Sequence, residues 1–185
     1  MGRLVYTGIV SLDGYINDAS GNFDWAAPDE EVHAFVNGLE QSVGTYLYGR
    51  RMYEVMKVWQ TEPRLSDPSS AMFDYAALWR GADKVVFSTS LQAASTPRTR
   101  IERRFDPDAV ARLKEGERDI SIGGPTLAAA AITAGLVDEY RLIVCPVLVG
   151  GGMAFFPAEA EAELALAEVR RFASGDLYLR YVSRL

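Results

Sequence analysis

The sequence predicts an α/β domain: a central, mainly parallel mixed sheet with flanking helices, finished by an antiparallel C-terminal hairpin. Three observations predict it. From Leu4 to about Val149, apolar strand-like runs alternate with segments whose apolar residues recur at helical spacing. Two of those runs, ending at Gly49 and at Gly123-Gly124, pass directly from strand to helix. The last two apolar stretches alternate in strand fashion on either side of Ser174-Gly175, the pattern of a hairpin.

Leu4 to Val10 is apolar with little interruption and leads into the turn signal Ser11-Leu12-Asp13-Gly14, so it reads as a first, central strand. After Pro28, Val32, Phe35, Val36 and Leu39 mark one face of a helix whose first turn carries Asp29, Glu30 and Glu31, where the helix dipole favours acids. Thr45 to Tyr48 is a short strand stopped by Gly49, and Met52, Val55, Met56 and Trp59 then return to helical spacing. Ser69 to Arg80 reads as a helix closed by Gly81, followed by a strand over Lys84 to Ser88. The Ser-, Thr-, Pro- and Arg-rich stretch from Gln92 reads as a loop with a short strand at Arg100 to Arg104. Asp106-Pro107 caps and opens a short helix to about Lys114, and Asp119 to Ile122 is the next strand. Thr126 to Ala134 is a helix stopped by Gly135. Tyr140 to Val149 reads as a long strand in which Pro146 signals an edge or a bulge, broken by Gly150-Gly151-Gly152. Leu164 to Phe172 and Leu177 to Val182 form the hairpin.

At 185 residues the chain is long enough for one well-buried domain, taken as residues 1–185 without a linker or internal repeat. Lys and Arg total 19 against 25 for Asp and Glu, and the net charge of −6 argues against sequence-independent binding to nucleic acid. Nowhere do eighteen apolar residues run together and no charged leader precedes an apolar segment, so the expectation is a cytoplasmic protein with no membrane partner. The single cysteine, Cys145, has no intrachain disulfide partner and lies in an apolar run, where it reads as a small buried hydrophobe. One His and one Cys leave no metal site in view. His33 reads as a surface residue, Trp59 and Trp79 as packing, and Arg98, Arg100, Arg103 and Arg104 as a solvated face or, as the lesser alternative, a source of one contact to a small phosphate-like anion.

Chemistry concentrates at three junctions, each following a strand: Gly49-Arg50-Arg51, Ser88-Thr89-Ser90 and Gly123-Gly124-Pro125. Ligands of open α/β sheets bind at the carboxyl ends of the strands. The first junction offers two guanidiniums for a phosphate, and the second offers hydroxyls. The third offers backbone without Cβ and the N–H groups of a helix start, with Pro125 at a position where a missing N–H is harmless. Neither G-x-G-x-x-G nor a Walker A sequence is present. The three together look like a dinucleotide cradle of another kind.

Five segments in order carry a family resemblance: Ser11-Leu12-Asp13-Gly14-Tyr15-Ile16, Gly49-Arg50-Arg51-Met52-Tyr53-Glu54, Ser88-Thr89-Ser90, Ile122-Gly123-Gly124, and Pro146-Val147-Leu148-Val149-Gly150-Gly151-Gly152. Over nearly its whole length the chain resembles the dihydrofolate reductase-like superfamily. Within it, the nearest match is to stand-alone proteins similar to the C-terminal reductase domain of the riboflavin-biosynthesis deaminase-reductase.

That resemblance implies NADPH as cofactor, with Gly49, Arg50, Arg51 and Met52 at the phosphates and Ser88, Thr89 and Ser90 near the adenosine ribose phosphate. Gly123, Gly124, Pro125, Thr126 and Leu127 would run along the pyrophosphate, with a cis peptide joining Gly123 to Gly124. The loop carrying Asp13 and Ile16 would cover the nicotinamide, with Asp13 a candidate catalytic group. Folate enzymes carry a Trp-x-x-Pro-x-Asp pattern, which Trp25-Ala26-Ala27-Pro28-Asp29-Glu30 resembles with Glu30 in the acid's place. Glu30 is then the candidate proton donor and Asp29 its backup, or both simply cap the helix. Trp25, Asp29, Tyr53 and Phe156 are the candidate substrate contacts. The zinc deaminase half of the riboflavin enzyme has no counterpart here. The implied reaction is hydride transfer to a C=N bond of a small pteridine- or ribosylaminopyrimidine-like heterocycle. A genuine dihydrofolate reductase and a non-catalytic nucleotide binder are the alternatives. The resemblance also implies a homodimer, with the apolar segment from Cys145 to Phe156 part of its interface.

Overall fold

In the computed structural model, which describes residues 1–61, 70–158 and 160–184, strands and helices alternate as the periodicity predicts. The strands are β1 Leu4–Ser11, β2 Tyr15–Asn17, β3 Val43–Gly49, β4 Asp83–Phe87, β5 Thr99–Glu102, β6 Asp119–Gly123, β7 Glu139–Cys145, β8 Met153–Ala154, β9 Leu164–Arg171 and β10 Leu177–Ser183. The helices are α1 Glu30–Glu40, α2 Arg50–Met56, α3 Val58–Thr61, α4 Ala71–Gly81, α5 Pro107–Leu113 and α6 Pro125–Thr133. Ser69, where the sequence starts its third helix, lies outside the described residues.

Eight strands form one sheet in the order β5-β4-β3-β6-β1-β7-β10-β9, and β2 pairs with β8 as a separate ribbon. From β5 to β7 every pairing is parallel; β10 runs antiparallel to both β7 and β9. The central position of β1 and the antiparallel hairpin agree with the sequence reading. So do the helix starts: the Asp29 side chain accepts from Val32 N at 2.9 Å, and Asp106 caps a helix with Pro107 in its first turn.

Alternation along β1 divides the core. Tyr6 and Val10 face a layer built with Ile122, Leu127, Ala128, Ala131, Leu142 and Phe155, on the α6 side. Ile9 packs on the opposite side with Val32, Phe35 and Leu39 of α1, Ile143, Phe172 and Tyr178. Farther along that second face, Tyr46, Tyr48, Tyr53, Tyr75, Trp79 and Val86 close the sheet against α2 and α4. At the amino ends of the strands, the buried Glu139 takes Arg141 at 2.6 Å, Arg3 at 2.9 Å and Arg180 at 3.3 Å, while Arg3 also holds Asp119 at 2.7 Å.

Three expectations are corrected. The strand expected over Tyr140 to Val149 stops at Cys145, because β7 lies between β1 and β10 and needs its amides on both edges, which Pro146 cannot supply. His33 is buried, its ring 5.8 Å from that of Trp59 and 5.7 Å from that of Tyr75, because α1 packs against α4 on the flank where His33 projects. The helix expected to continue through Trp59 breaks at Lys57 into α2 and α3. Among the described residues no helix is long and apolar enough to cross a membrane, and no cluster of His, Cys, Asp and Glu is placed to hold a metal ion.

Candidate functional site

A difference in strand length creates the site. β6 pairs with β1 only over Leu4, Val5 and Tyr6, whereas β7 pairs with β1 from Val5 to Ser11. On its other edge β6 runs beside β3 up to the pair Tyr48–Gly123 and then ends. Beyond Tyr6, therefore, the β6-facing edge of β1 has no strand partner among the described residues. A slot opens there between β1 and β3, with Gly123 and Gly124 as its floor and the start of α6 behind them. Backbone N–H and C=O groups along such an edge are ready to bond a flat polar ligand.

The floor is made of glycine for a reason that can be measured. A Cβ on Gly123 would sit 3.2 Å from the Tyr48 ring and 3.3 Å from Met52 Cε, tighter than ordinary packing. Gly124 turns the chain from strand to helix at φ 92°, a conformation that penalises any side chain. The expected cis peptide is absent: the bond between Gly123 and Gly124 is trans, and the positive φ of Gly124 accomplishes the bend. Pro125 opens α6, whose first-turn amides have no acceptor within the helix.

Arg50 and Arg51 begin α2 next to this floor, both exposed and without an ion pair among the described residues, and Met52 lies across Gly123 and Gly124. Ser88, Thr89 and Ser90 follow β4. The Ser88 hydroxyl accepts from Ser90 N at 3.3 Å and from Leu91 N at 3.0 Å, and Arg103 donates to the Ser88 and Leu91 carbonyls at 3.0 and 2.7 Å. Ser88 thus shapes its own turn, and Thr89 and Ser90 are the exposed hydroxyls at this junction.

Each candidate acid accepts a backbone amide. Asp29 is the N-cap of α1, and Glu30 Oε1 accepts from Ala71 N at 2.9 Å, tying α1 to the first turn of α4. Asp13 accepts from Val149 N at 3.2 Å and from Gly150 N at 2.8 Å. Ser11 and these two amides hold its carboxyl below the usual range. Tyr53, expected at the substrate, is fully buried; its hydroxyl takes Ser95 N at 3.0 Å and Thr96 N at 3.1 Å and bonds Thr96 Oγ1 at 2.9 Å. It anchors the loop after β4, a correction that follows from its place on the inward face of α2. Phe156 is partly exposed and packs edge-on against Phe155 and Tyr6, on the broad α6 face of the sheet rather than in the slot. Ile16 lies in β2, partly buried against that same core.

Sequence reasoning missed Thr7. Tyr6 and Gly8 face Phe155, so Thr7 points to the α1 side, where its buried Oγ1 has no hydrogen-bond partner among the described residues. The signal was a hydroxyl in the middle of an apolar strand beside the open edge. Trp25, in the short 3-10 turn Asp24–Ala26 that packs on β1, likewise buries an Nε1 without a partner among the described residues. Buried polar atoms left unpaired are costly, which marks both as places where a ligand group or water belongs. Cys145 ends β7, and burial pushes its thiol up to about 12, so it is not a thiolate nucleophile. A cleft of about 550 Å³ lined by Asn37, Asp74 and Arg118 opens at the far end of the sheet. There Arg118 Nη2 donates to the Gln41 and Val43 carbonyls at 3.0 and 2.6 Å, closing the end of α1.

Comparison with known proteins agrees with this architecture. The family model described as "RibD C-terminal domain" matches residues 3–178. The chain is 30% identical over 185 residues to the Bacillus subtilis (strain 168) protein "Uncharacterized protein YyaP", spanning 97% of this chain and 94% of that one. Among solved structures, it resembles a putative riboflavin biosynthesis protein from Shewanella sp. PV-4 with a TM-score of 0.76 and 20% identity, covering 99% of both chains. It also resembles a Thermotoga maritima diaminohydroxyphosphoribosylaminopyrimidine deaminase/5-amino-6-(5-phosphoribosylamino)uracil reductase, with a TM-score of 0.67 and 14% identity, covering 99% of this chain and 57% of that one.

Proposed function

The chain belongs to the RibD C-terminal domain family, and from that premise we propose that it is an NADPH-dependent reductase of a small heterocycle bearing a C=N bond, pteridine-like or ribosylaminopyrimidine-like. The slot beside Thr7 to Ser11, floored by Gly123 and Gly124, is the observation that carries this reading. A flat ring fits an unpaired strand edge, and a pyrophosphate fits a helix start reached over backbone that lacks Cβ. Arg50 and Arg51 supply charge for phosphate oxygens, and Thr89 and Ser90 supply exposed hydroxyls. When bound, NADPH furnishes the hydride; the protein's part is to orient it and to exclude water.

The substrate must gain a proton on nitrogen as it gains hydride on carbon. Glu30 Oε2, the oxygen not held by Ala71 N, or a water in the slot is the source. A competing reading, a nucleotide binder without turnover, draws on one observation: both Asp13 and Glu30 already hold backbone amides.

Titration with NADPH and NADH, following cofactor fluorescence and thermal stability together, tests the cradle. Micromolar binding that prefers NADPH supports the reductase, and binding of neither removes it. With a turned-over substrate in hand, Glu30→Gln should lower kcat and leave NADPH affinity nearly unchanged; equal loss of both refutes the proton-donor role. Assembly as a homodimer belongs to the same proposal, supported by the exposed Leu148 and Phe156 and by Leu166 and Val169 on the edge strand β9. Light scattering after size exclusion decides it.

A further inference from the structure

The cap beside the slot is one body made from two distant segments. Leu12 N donates to Val147 O at 2.8 Å, Phe155 N to Gly14 O at 2.9 Å, and Met153 N to Asn17 Oδ1 at 2.9 Å. β2 and β8 pair within it. The glycine run makes this approach possible. Gly150, Gly151 and Gly152 all have positive φ, and a Cβ on Gly152 would overlap the Asn17 carbonyl. The run that follows β7 is therefore a docking strip for the loop that follows β1. At the outer end of the strip, the Asp13 carboxylate receives two successive amides, Val149 N and Gly150 N.

We propose that Asp13 is a positioning residue: it latches the loop after β1 to the glycine run and so keeps the cap closed along the open edge of β1. The role rests on the reductase reading, since what the cap encloses there is the proposed cofactor ring. The loop leaves β1 at Ser11, where the unpaired edge ends, and returns through β2 to β8 and Phe155, whose ring lies on Gly8 and Tyr6 of the same strand. Opening the latch frees the loop at the slot while leaving Phe155 seated. Asp13 is exposed and contributes no packing, so its removal changes the closure of the cap rather than the fold.

Hydrogen exchange on the ligand-free protein and NADPH dissociation by stopped flow test this with Asp13→Ala and Asp13→Asn. In Asp13→Ala the amides of Leu12, Val149 and Gly150 should exchange roughly tenfold faster, and those of Ile122 and Leu142 in the sheet should not change. NADPH release should quicken by about five- to tenfold, the effect of losing a charge-assisted contact, with Asn intermediate because it keeps one acceptor oxygen. Asn17→Ala, which removes the second staple, should act in the same direction and combine with Asp13→Ala less than additively. Unchanged exchange in Asp13→Ala overturns the latch. Faster exchange with unchanged NADPH release overturns its positioning role. Should the parent chain bind no NADPH, the reductase reading fails and the positioning role with it, whereas the exchange arm still reports whether Asp13 closes the cap.

Discussion

Gly8→Ala is the most demanding test of how the cap sits on the sheet. A Cβ on Gly8 would overlap Phe155 Cε2 and lie 2.9 Å from Cδ2. The ring has little room to retreat. Phe155 is 1% exposed and stacked on Tyr6 at 4.1 Å with an interplanar angle of 1°. Its backbone is pinned at both ends, Phe155 O receiving Tyr6 Oη at 2.7 Å and Phe155 N donating to Gly14 O at 2.9 Å. Overpacking of a filled core costs about 1–3 kcal/mol, and this pinned site belongs near the middle or top of that range. For a domain of this size about 2 kcal/mol lowers Tm by roughly 4–8 °C. Phe155→Ala removes the ring and leaves its cavity, a loss of about 3–5 kcal/mol. The double variant relieves the clash, so it should lie near Phe155→Ala alone instead of summing the two single losses, a coupling of about 1–3 kcal/mol. Urea unfolding of the four proteins, with midpoints and slopes fitted together, reads the cycle. If Gly8→Ala lies within about 0.5 kcal/mol of the parent, or if the two losses add, Phe155 does not rest on Gly8 and the placement of the cap is wrong.

Two further outcomes follow from groups whose partners are in place. Asp119, held by Arg3 and by Ser42 Oγ at 2.9 Å, keeps its carboxyl below the ordinary value of 3.8 against the opposing effect of burial. A depressed folded pKa gives stability that is present above the unfolded pKa and lost as pH falls through the folded one. Asp119→Asn should therefore lower stability at neutral pH and flatten its decline on acidification below about pH 4; an acid limb as steep as the parent's in urea midpoints refutes this. Tyr53→Phe leaves Ser95 N and Thr96 N without their acceptor, a cost of about 1–3 kcal/mol in thermal unfolding, with NADPH affinity unchanged. A selective loss of substrate or cofactor binding would instead return Tyr53 to the site.

What was legible in the sequence was local. Helical spacing placed α1, α4 and α6 within a residue or two of their ends, Asp106-Pro107 marked the start of α5, and the two glycine junctions located the slot. What was hidden is contact between distant segments. β2 and β8 contain three residues and two, too short for any periodicity, and they join chain positions 136 apart through Asn17 and Met153. Asp13 and Tyr53 looked like chemistry in sequence because polar groups beside a ligand and polar groups that hold backbone amides have the same composition. Only the partners at Gly150 and Ser95 separate the two. His33 was misread because its neighbours on α1 do not disclose that α3 and α4 bring Trp59 and Tyr75 against it.

The slot itself has a simple origin. β1 has eight residues and β6 has five, and because β6 breaks on two glycines the difference is exposed at one end of the sheet. The walls are then rigid: β1 is held by β7 along its whole upper half, and β3 is backed by β4. The cap, by contrast, is fixed by a few hydrogen bonds and one seated aromatic ring. A reductase needs that division. Hydride transfer demands a fixed distance between two flat rings, which strands supply, and the rings must also enter and leave, which a stapled loop permits. Asp13 and Glu30 already accept backbone amides, and the unpaired edge of β1 leaves its own N–H and C=O groups open at the slot. Under the proposed reading, that edge meets the flat ring, and Arg50 and Arg51 meet the phosphate at the other end.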